Sequence, residues 1–266
     1  MFTATGLTVA FGRRTILDGV DFAAAPGALT AIVGPNGSGK TTLLRALSGE
    51  LRSTGAISLN GHDARALKPW QAAMHRAVLP QATTLAFPFT AREVVRLGVT
   101  AGIAGADAAH LPELALARVD LAGFAGRVYQ QLSGGEQQRV QLARALCQVW
   151  VPVAHGVPRW LLLDEPVSSL DIRHQLLVMQ IARDFAAAGG GVIAVLHDLN
   201  LACLFADQIT VMHQGRVARA GTPAEVLDDR LLNDVFGCAL QVGAVPPAGI
   251  PFVLPQQPQN LLHGRI

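Results

Sequence analysis

The strongest constraint in this 266-residue chain is one stretch of eight residues, Gly34-Pro35-Asn36-Gly37-Ser38-Gly39-Lys40-Thr41. An apolar run, Leu29-Thr-Ala-Ile-Val33, comes before it. A helical pattern follows from Thr41, apolar at Leu43, Leu44 and Leu47, with Gly49 suited to a stop. Strand, glycine turn and helix in that order match G-x-x-x-x-G-K-[ST] in the setting that gives the pattern its meaning. Glycines let the backbone curl until its N–H groups face phosphate oxygens, and the helix start adds partial positive charge. The candidate cradle is therefore Gly34 through Thr41, continued by Thr42. The Lys40 ammonium is expected to reach the terminal phosphates of a nucleoside triphosphate, and the Thr41 hydroxyl to ligate Mg²⁺. The bland alternative, a glycine turn with no ligand, has the full eight-position match against it.

Two more apolar runs have the length of strands buried on both faces, Trp160-Leu-Leu-Leu163 and Val192-Ile-Ala-Val-Leu196. They end in Asp164-Glu165 and His197-Asp198. In an open parallel α/β sheet, ligands bind beyond the carboxyl ends of the strands. Asp164 suits the carboxylate that holds Mg²⁺, through water, because that ion keeps part of its hydration shell. Glu165, one residue on, suits a general base for an attacking water. The same two acids could merely cap the next helix, a reading that weakens once the upstream cradle is considered. His197 could hydrogen-bond the terminal phosphate or the water; a satisfied structural histidine is its competing reading.

Elsewhere the pattern is coarser. Ile172 to Ala188 places Leu177, Ile181 and Phe185 on one helical face before Gly189-Gly190-Gly191. The first thirty residues and Gly55 to Asn60 look β-rich, and residues ~90–158 look helical and loop-rich, as an inserted subdomain would. The main domain is expected over 1–240, with a proline-rich, extended tail over 241–266.

Composition excludes more than it proposes. Half the residues are hydrophobic, yet no apolar run approaches the ~18 residues needed to span a bilayer. Met1 to Ala10 lacks the basic head and apolar stretch of a signal peptide. A net charge of +2 is too small to argue for nucleic acid, and none is expected as a partner. Cys147, Cys203 and Cys238 are scattered without metal spacing and suggest reduced thiols in the cytosol. Any membrane role then comes through a partner.

Leu132-Ser133-Gly134-Gly135-Glu136 reads as a second helix-opening anion site, far along the chain and without a lysine of its own. Here the sequence resembles the nucleotide-binding domains of ABC ATPases, whose signature motif is LSGGE, and the resemblance spans nearly the whole chain. It implies an α/β P-loop NTPase with a RecA-like core, an antiparallel β subdomain and an inserted α-helical subdomain. It implies a head-to-tail homodimer in which Ser133, Gly134, Gly135 and Glu136 of one copy close over the ATP held by the other. Phe11 matches the aromatic that stacks on adenine; an exposed core phenylalanine is the competing reading. Gln81 matches the glutamine that touches Mg²⁺ and links the site to the membrane subunit. Ser169-Leu170-Asp171 matches the loop that crosses the dimer interface, and Val167 stands where threonine is common. The resemblance further implies integral-membrane permease subunits, a periplasmic substrate-binding protein, and a peripheral position on the cytoplasmic face of the inner membrane. The stretch from Ala82 to Gly98 is expected to receive the permease.

His197-Asp-Leu-Asn-Leu-Ala202 is similar to the importer branch serving iron-siderophores, cobalamin and haem. Within it, Phe87-Pro-Phe-Thr90 leading into Glu93–Gly98, the extra segment Val149 to Arg159, and the tail with Phe236-Gly237 and Ile250–Pro255 resemble hemin importers. Siderophore or cobalamin import is the alternative. A soluble ABC ATPase acting on DNA or ribosomes is the rival of another class. Such proteins carry coiled coils or tandem cassettes, and this chain has one phosphate loop and no heptad run.

Overall fold

The computed structural model describes residues 1–81, 85–99 and 109–254. Ala82–Thr84 of the expected permease-facing stretch, residues 100–108 of the expected helical insertion and the tail from Pro255 lie outside the described residues.

The chain opens with β1 (Phe2–Phe11) and β2 (Arg14–Ala24), an antiparallel pair. The buried β3 (Leu29–Val33) feeds the glycine loop and α1 (Lys40–Leu47). β4 (Thr54–Leu59) and β5 (His62–Asp63) return to the first pair and complete a four-stranded antiparallel sheet, β2-β1-β4-β5. Then come α2 (Pro69–His75), β6 (Arg76–Leu79), α3 (Ala91–Arg96), α4 (Leu111–Arg118) and α5 (Gly134–Gln148). A small hairpin, β7 (Val153–Ala154) and β8 (Val157–Pro158), precedes β9 (Trp160–Asp164) and α6 (Ile172–Ala187). The rest is β10 (Gly191–Val195), α7 (Leu199–Phe205), β11 (Gln208–His213), β12 (Arg216–Gly221), α8 (Pro223–Val226) and α9 (Asp229–Phe236).

The second sheet has six strands in the order β12-β11-β3-β10-β9-β6, parallel except for the β11–β12 pair. β3, β9 and β10 are buried at every position, as their uninterrupted apolar runs require. Because strand side chains alternate in direction, each of these strands supplies two cores. Trp160, Leu162, Ile193, Val195 and Ile32 face α1 and the antiparallel sheet. Leu161, Leu163, Val192, Ala194 and Val33 face the side of α5 and α6. This alternation matters at the strand ends, where the polar residues inherit the same two directions.

α3, α4 and α5 pack on one another, and their buried side chains, such as Val94, Leu116 and Leu146, continue the core of the sheet's second face. α3 and α5 begin with reciprocal caps, Thr90 with Glu93 and Ser133 with Glu136. The extra segment Val149 to Arg159 carries the hairpin, whose turn residues His155 and Gly156 both have positive φ. Asn60 ties it to the sheet, donating to the Pro158 carbonyl (2.8 Å) and accepting from the Trp160 indole (2.9 Å). The described tail beyond α9 forms no strand or helix, and Val245, Ile250 and Val253 are exposed. Among the described residues, no helix is long and apolar enough to cross a membrane.

Candidate active site

The phosphate loop connects β3 to α1, and its backbone needs glycine. Gly34, Gly37 and Gly39 have φ of 147°, 76° and 103°, a region that side chains disfavour. At Gly34 a Cβ would also run into the Met212 carbonyl. α1 starts with no side-chain cap, so the N–H groups of its first turn, Lys40 to Thr42, face outward without a partner from a cap residue. The Ser38 hydroxyl is buried with no partner among the described residues. Lys40 is only 6 % exposed and its ammonium donates to the Gly34 and Pro35 carbonyls at 2.9 and 3.0 Å. Burial lowers its pKa, opposed by the charges of Glu165 and Asp164. An uncapped helix start, a buried hydroxyl and a buried ammonium form a cradle suited to polyphosphate.

Strand register gathers the rest. β9 pairs Asp164 with Val195 of β10, and Leu163 with Leu79 of β6. The residues just beyond these strand ends, Gln81, Glu165 and His197, therefore converge. Asp164 points to the α1 side, where its Oδ1 accepts from the Thr41 hydroxyl at 3.0 Å. It is 3 % exposed, and burial pushes its carboxyl up, with the Thr41 bond pulling the other way. Thr41, Gln81 and Asp164 line one cavity of about 260 Å³. Among the described residues there is no group of three His, Cys, Asp or Glu side chains able to hold a metal. A cation here would rest on one buried carboxylate plus hydroxyl, amide, phosphate and water oxygens, a donor set that fits Mg²⁺.

Glu165 points to the other face. Its Oε1 lies 2.6 Å from His197 Nε2, and its Oε2 accepts from Gln81 Nε2 at 2.9 Å. Its backbone is left-handed, φ 52°, unusual for a glutamate. Its N–H donates to the Val195 carbonyl (3.2 Å) and its own carbonyl accepts from Gln138 Nε2 (2.9 Å).

A second cluster gathers at the starts of α5 and α6, and its Gly134 shares a small cavity with Gln81. Ser133 caps α5: its N–H donates to Glu136 Oε2 at 2.7 Å and its Oγ accepts from the Glu136 N–H at 3.3 Å. The Ser133 N–H and hydroxyl hold the Glu136 carboxyl below its usual range. Gly134 and Gly135 form the first turn, and a Cβ on Gly135 would press on Leu170 and the Ser169 carbonyl. Asp171 caps α6, accepting from the His174 N–H (2.9 Å) and meeting His174 Nδ1 (2.8 Å); these bonds hold its carboxyl low. Ser133 to Glu136, Asp171 and His174 line a cavity of about 410 Å³ that no phosphate-loop residue lines. Phe11 stands 56 % exposed at the end of β1.

The structure thus joins Gly34–Thr42, Asp164, Glu165, Gln81 and His197, and separately joins Ser133–Glu136 with Asp171. Sequence reasoning passed over Gln138 and His174. The signal for the first was a run of glutamines, Gln137, Gln138 and Gln141, on a helix that packs against a core. His174 gave no signal; it bridges Asp171 to Asp120 (3.4 Å), fifty-four positions away in the chain.

A match to the ABC transporter family covers residues 17–168. The chain belongs to the ABC transporter family. This ABC protein is 63 % identical over 259 residues to the "Hemin import ATP-binding protein HmuV" of Mesorhizobium japonicum, covering 96 % of this chain and 98 % of that one. With the protein of the same name from Rhizobium meliloti it shares 59 % over 259 residues, with 96 % and 98 % covered. Among solved structures, the dimeric ATP-binding cassette MJ0796 in a post-hydrolysis state, bound to ADP and Pi, superposes with a TM-score of 0.72 at 27 % identity. That likeness covers 84 % of this chain and 99 % of the cassette. A bacterial Atm1-family ABC exporter with ATP bound gives 0.71 at 29 % identity, over 85 % of this chain and 39 % of the exporter.

Proposed function

We propose that this chain is the ATP-binding and ATP-hydrolysing subunit of an ABC import system that energises hemin uptake across the cytoplasmic membrane. The observation that carries the reading is the setting of Glu165, a carboxylate at a strand end beside a phosphate cradle, met by His197 and Gln81. Identity of 63 % along 96 % of the chain with a protein named for hemin import supports that cargo.

In this reading the N–H groups of Gly34 to Thr42 and the Lys40 ammonium hold the ATP phosphates, and Phe11 stacks on the adenine. Thr41, Asp164 and Gln81 would hold Mg²⁺. When bound, that ion neutralises charge on the phosphate oxygens. Glu165 orients a water in line with the terminal phosphate and takes its proton, and His197 fixes the Glu165 carboxylate. Ser133, Gly134, Gly135 and Glu136, with Asp171, close the site from a second copy, because they line a different cavity from the phosphate loop of their own chain. ATP then favours the closed pair, and loss of the terminal phosphate releases it. Permease subunits, fed by a periplasmic binding protein, convert that cycle into transport, with this subunit on the cytoplasmic face.

The test is reconstitution with the permease and binding protein in proteoliposomes. Hemin-loaded binding protein should stimulate ATP hydrolysis, and ferric siderophore or cobalamin should not. Stimulation by either of those instead overturns the cargo, and no transport-linked hydrolysis overturns the role.

A further inference from the structure

α5 has two ends of contact. It opens at Ser133, in the cluster assigned to a nucleotide on a second copy, and little more than a turn later it touches the base of its own chain. Gln138 Nε2 donates to the Glu165 carbonyl oxygen at 2.9 Å. That carbonyl belongs to a residue with φ 52°, a conformation that side chains disfavour and that persists only when the surroundings over-determine it. In the turn that follows, the Ser168 N–H (3.4 Å) and hydroxyl (3.2 Å) donate to the same carbonyl. The Glu165 N–H reaches Val195 of β10, and the carboxylate is shared by Gln81 and His197. Ser168 belongs to the local turn; Gln138, with the shortest of the three bonds to the Glu165 carbonyl, is the partner that comes from α5. The Gln138 Oε1 is buried with no partner among the described residues, beside a small cavity lined by Gln81, Gly134 and Ser169. Its amide is therefore held at one end only, by the bond to Glu165.

The geometry points to Gln138 as a positioning residue, through which α5 sets the left-handed backbone of Glu165 and so aims its carboxylate. The inference rests on the reading of Glu165 as the base and of Ser133 as a contact to the second copy's nucleotide. Under it, seating of Ser133 against one ATP is felt, along the rigid first turns of α5, at the base of the other site. No side chain has to cross between the sites, because a helix moves as a body.

The test is a double-mutant cycle on the full-length protein, measuring ATP hydrolysis and ATP binding. Gln138→Met keeps length and removes the donor. Gln138→Ala removes the side chain and guards against an effect peculiar to methionine. Both should lower kcat by about ten-fold, which is ~1.4 kcal/mol. KM for ATP and the thermal midpoint should stay as in the parent. In a Glu165→Gln background the same changes should add no further loss, because the only group they aim is gone. Parent-like kcat in both variants overturns the proposal. So does a KM rise at constant kcat, a fall in thermal midpoint that tracks the loss, or an equal further loss on top of Glu165→Gln. Full turnover in Glu165→Gln alone removes the base assignment and the inference with it. A parent-like Gln138→Met beside an inactive Glu165→Gln removes the inference only.

Discussion

The phosphate-loop cluster and the signature cluster are both assigned to nucleotide, yet they are built in opposite ways. Lys40 and Asp164 sit in the first at 6 % and 3 % exposure, and burial moves each pKa towards the uncharged form. Glu165 there has a left-handed backbone, and Gly34 excludes any side chain. In the second, Glu136 is half-buried and Asp171 exposed, and hydrogen bonds from Ser133 and His174 hold them charged. One cluster stores unfavourable burial and strain; the other is a pair of well-made helix caps. Buried, shifted charges mark where chemistry is done. Relaxed caps mark a rigid surface that is presented to something else.

That contrast can be broken most forcefully at the base. Glu165→Gln should keep ATP binding and lose roughly 10²–10⁴-fold in turnover, read by steady-state hydrolysis beside nucleotide titration. Wild-type-like turnover would move the chemistry elsewhere. Next is a mixing experiment. Lys40→Ala damages only the first cluster and Ser133→Arg only the second, so each alone should be inactive. A mixture forms some dimers in which an intact loop meets an intact signature, and hydrolysis should reappear. Continued silence would mean that the two clusters do not face each other across copies.

Stability should separate the clusters by sign. The raised Asp164 carboxyl is a penalty that is full above its folded pKa and relieved as pH falls towards the ordinary carboxylate value. Asp164→Asn should therefore raise the thermal midpoint at neutral pH, by about 2–4 °C for each kcal/mol relieved, while Mg²⁺-dependent hydrolysis collapses. A lower midpoint would show the buried carboxylate to be stabilising. The smallest effect is expected at Glu136, whose depressed carboxyl gives stability above the usual carboxylate range that is lost as pH falls through the folded value. Glu136→Gln should flatten the acid limb of a midpoint-against-pH curve, and an unchanged limb would remove the cap from the account.

Legibility in the sequence followed the same division. Leu29 to Val33 read as a buried strand and is β3 residue for residue, because five apolar positions fill both faces. Asp164, Glu165 and His197 read as strand-end residues, and they lie at or just beyond the ends of β9 and β10, where ligands bind in parallel sheets. β6 and β11 were not, since one is four residues long and the other interleaves Thr210 among apolar neighbours. The hairpin of β7 and β8 was visible only as extra length. The bond from Gln138 to Glu165 and the bridge from His174 to Asp120 were hidden because they depend on tertiary approach, which no local pattern records.

The register of β6, β9 and β10 has a consequence for how such a protein changes over generations. Asp164 and Glu165 take opposite faces of the sheet only because of where β9 starts. Removing one residue between Trp160 and Asp164 would carry Glu165 to the α1 side and Pro166 to the face that Glu165 now takes. Substitutions within these strands are tolerable so long as volume is kept, but insertions and deletions are not. The distance from Trp160 to Glu165, counted in residues, is therefore itself an inherited part of the proposed active site.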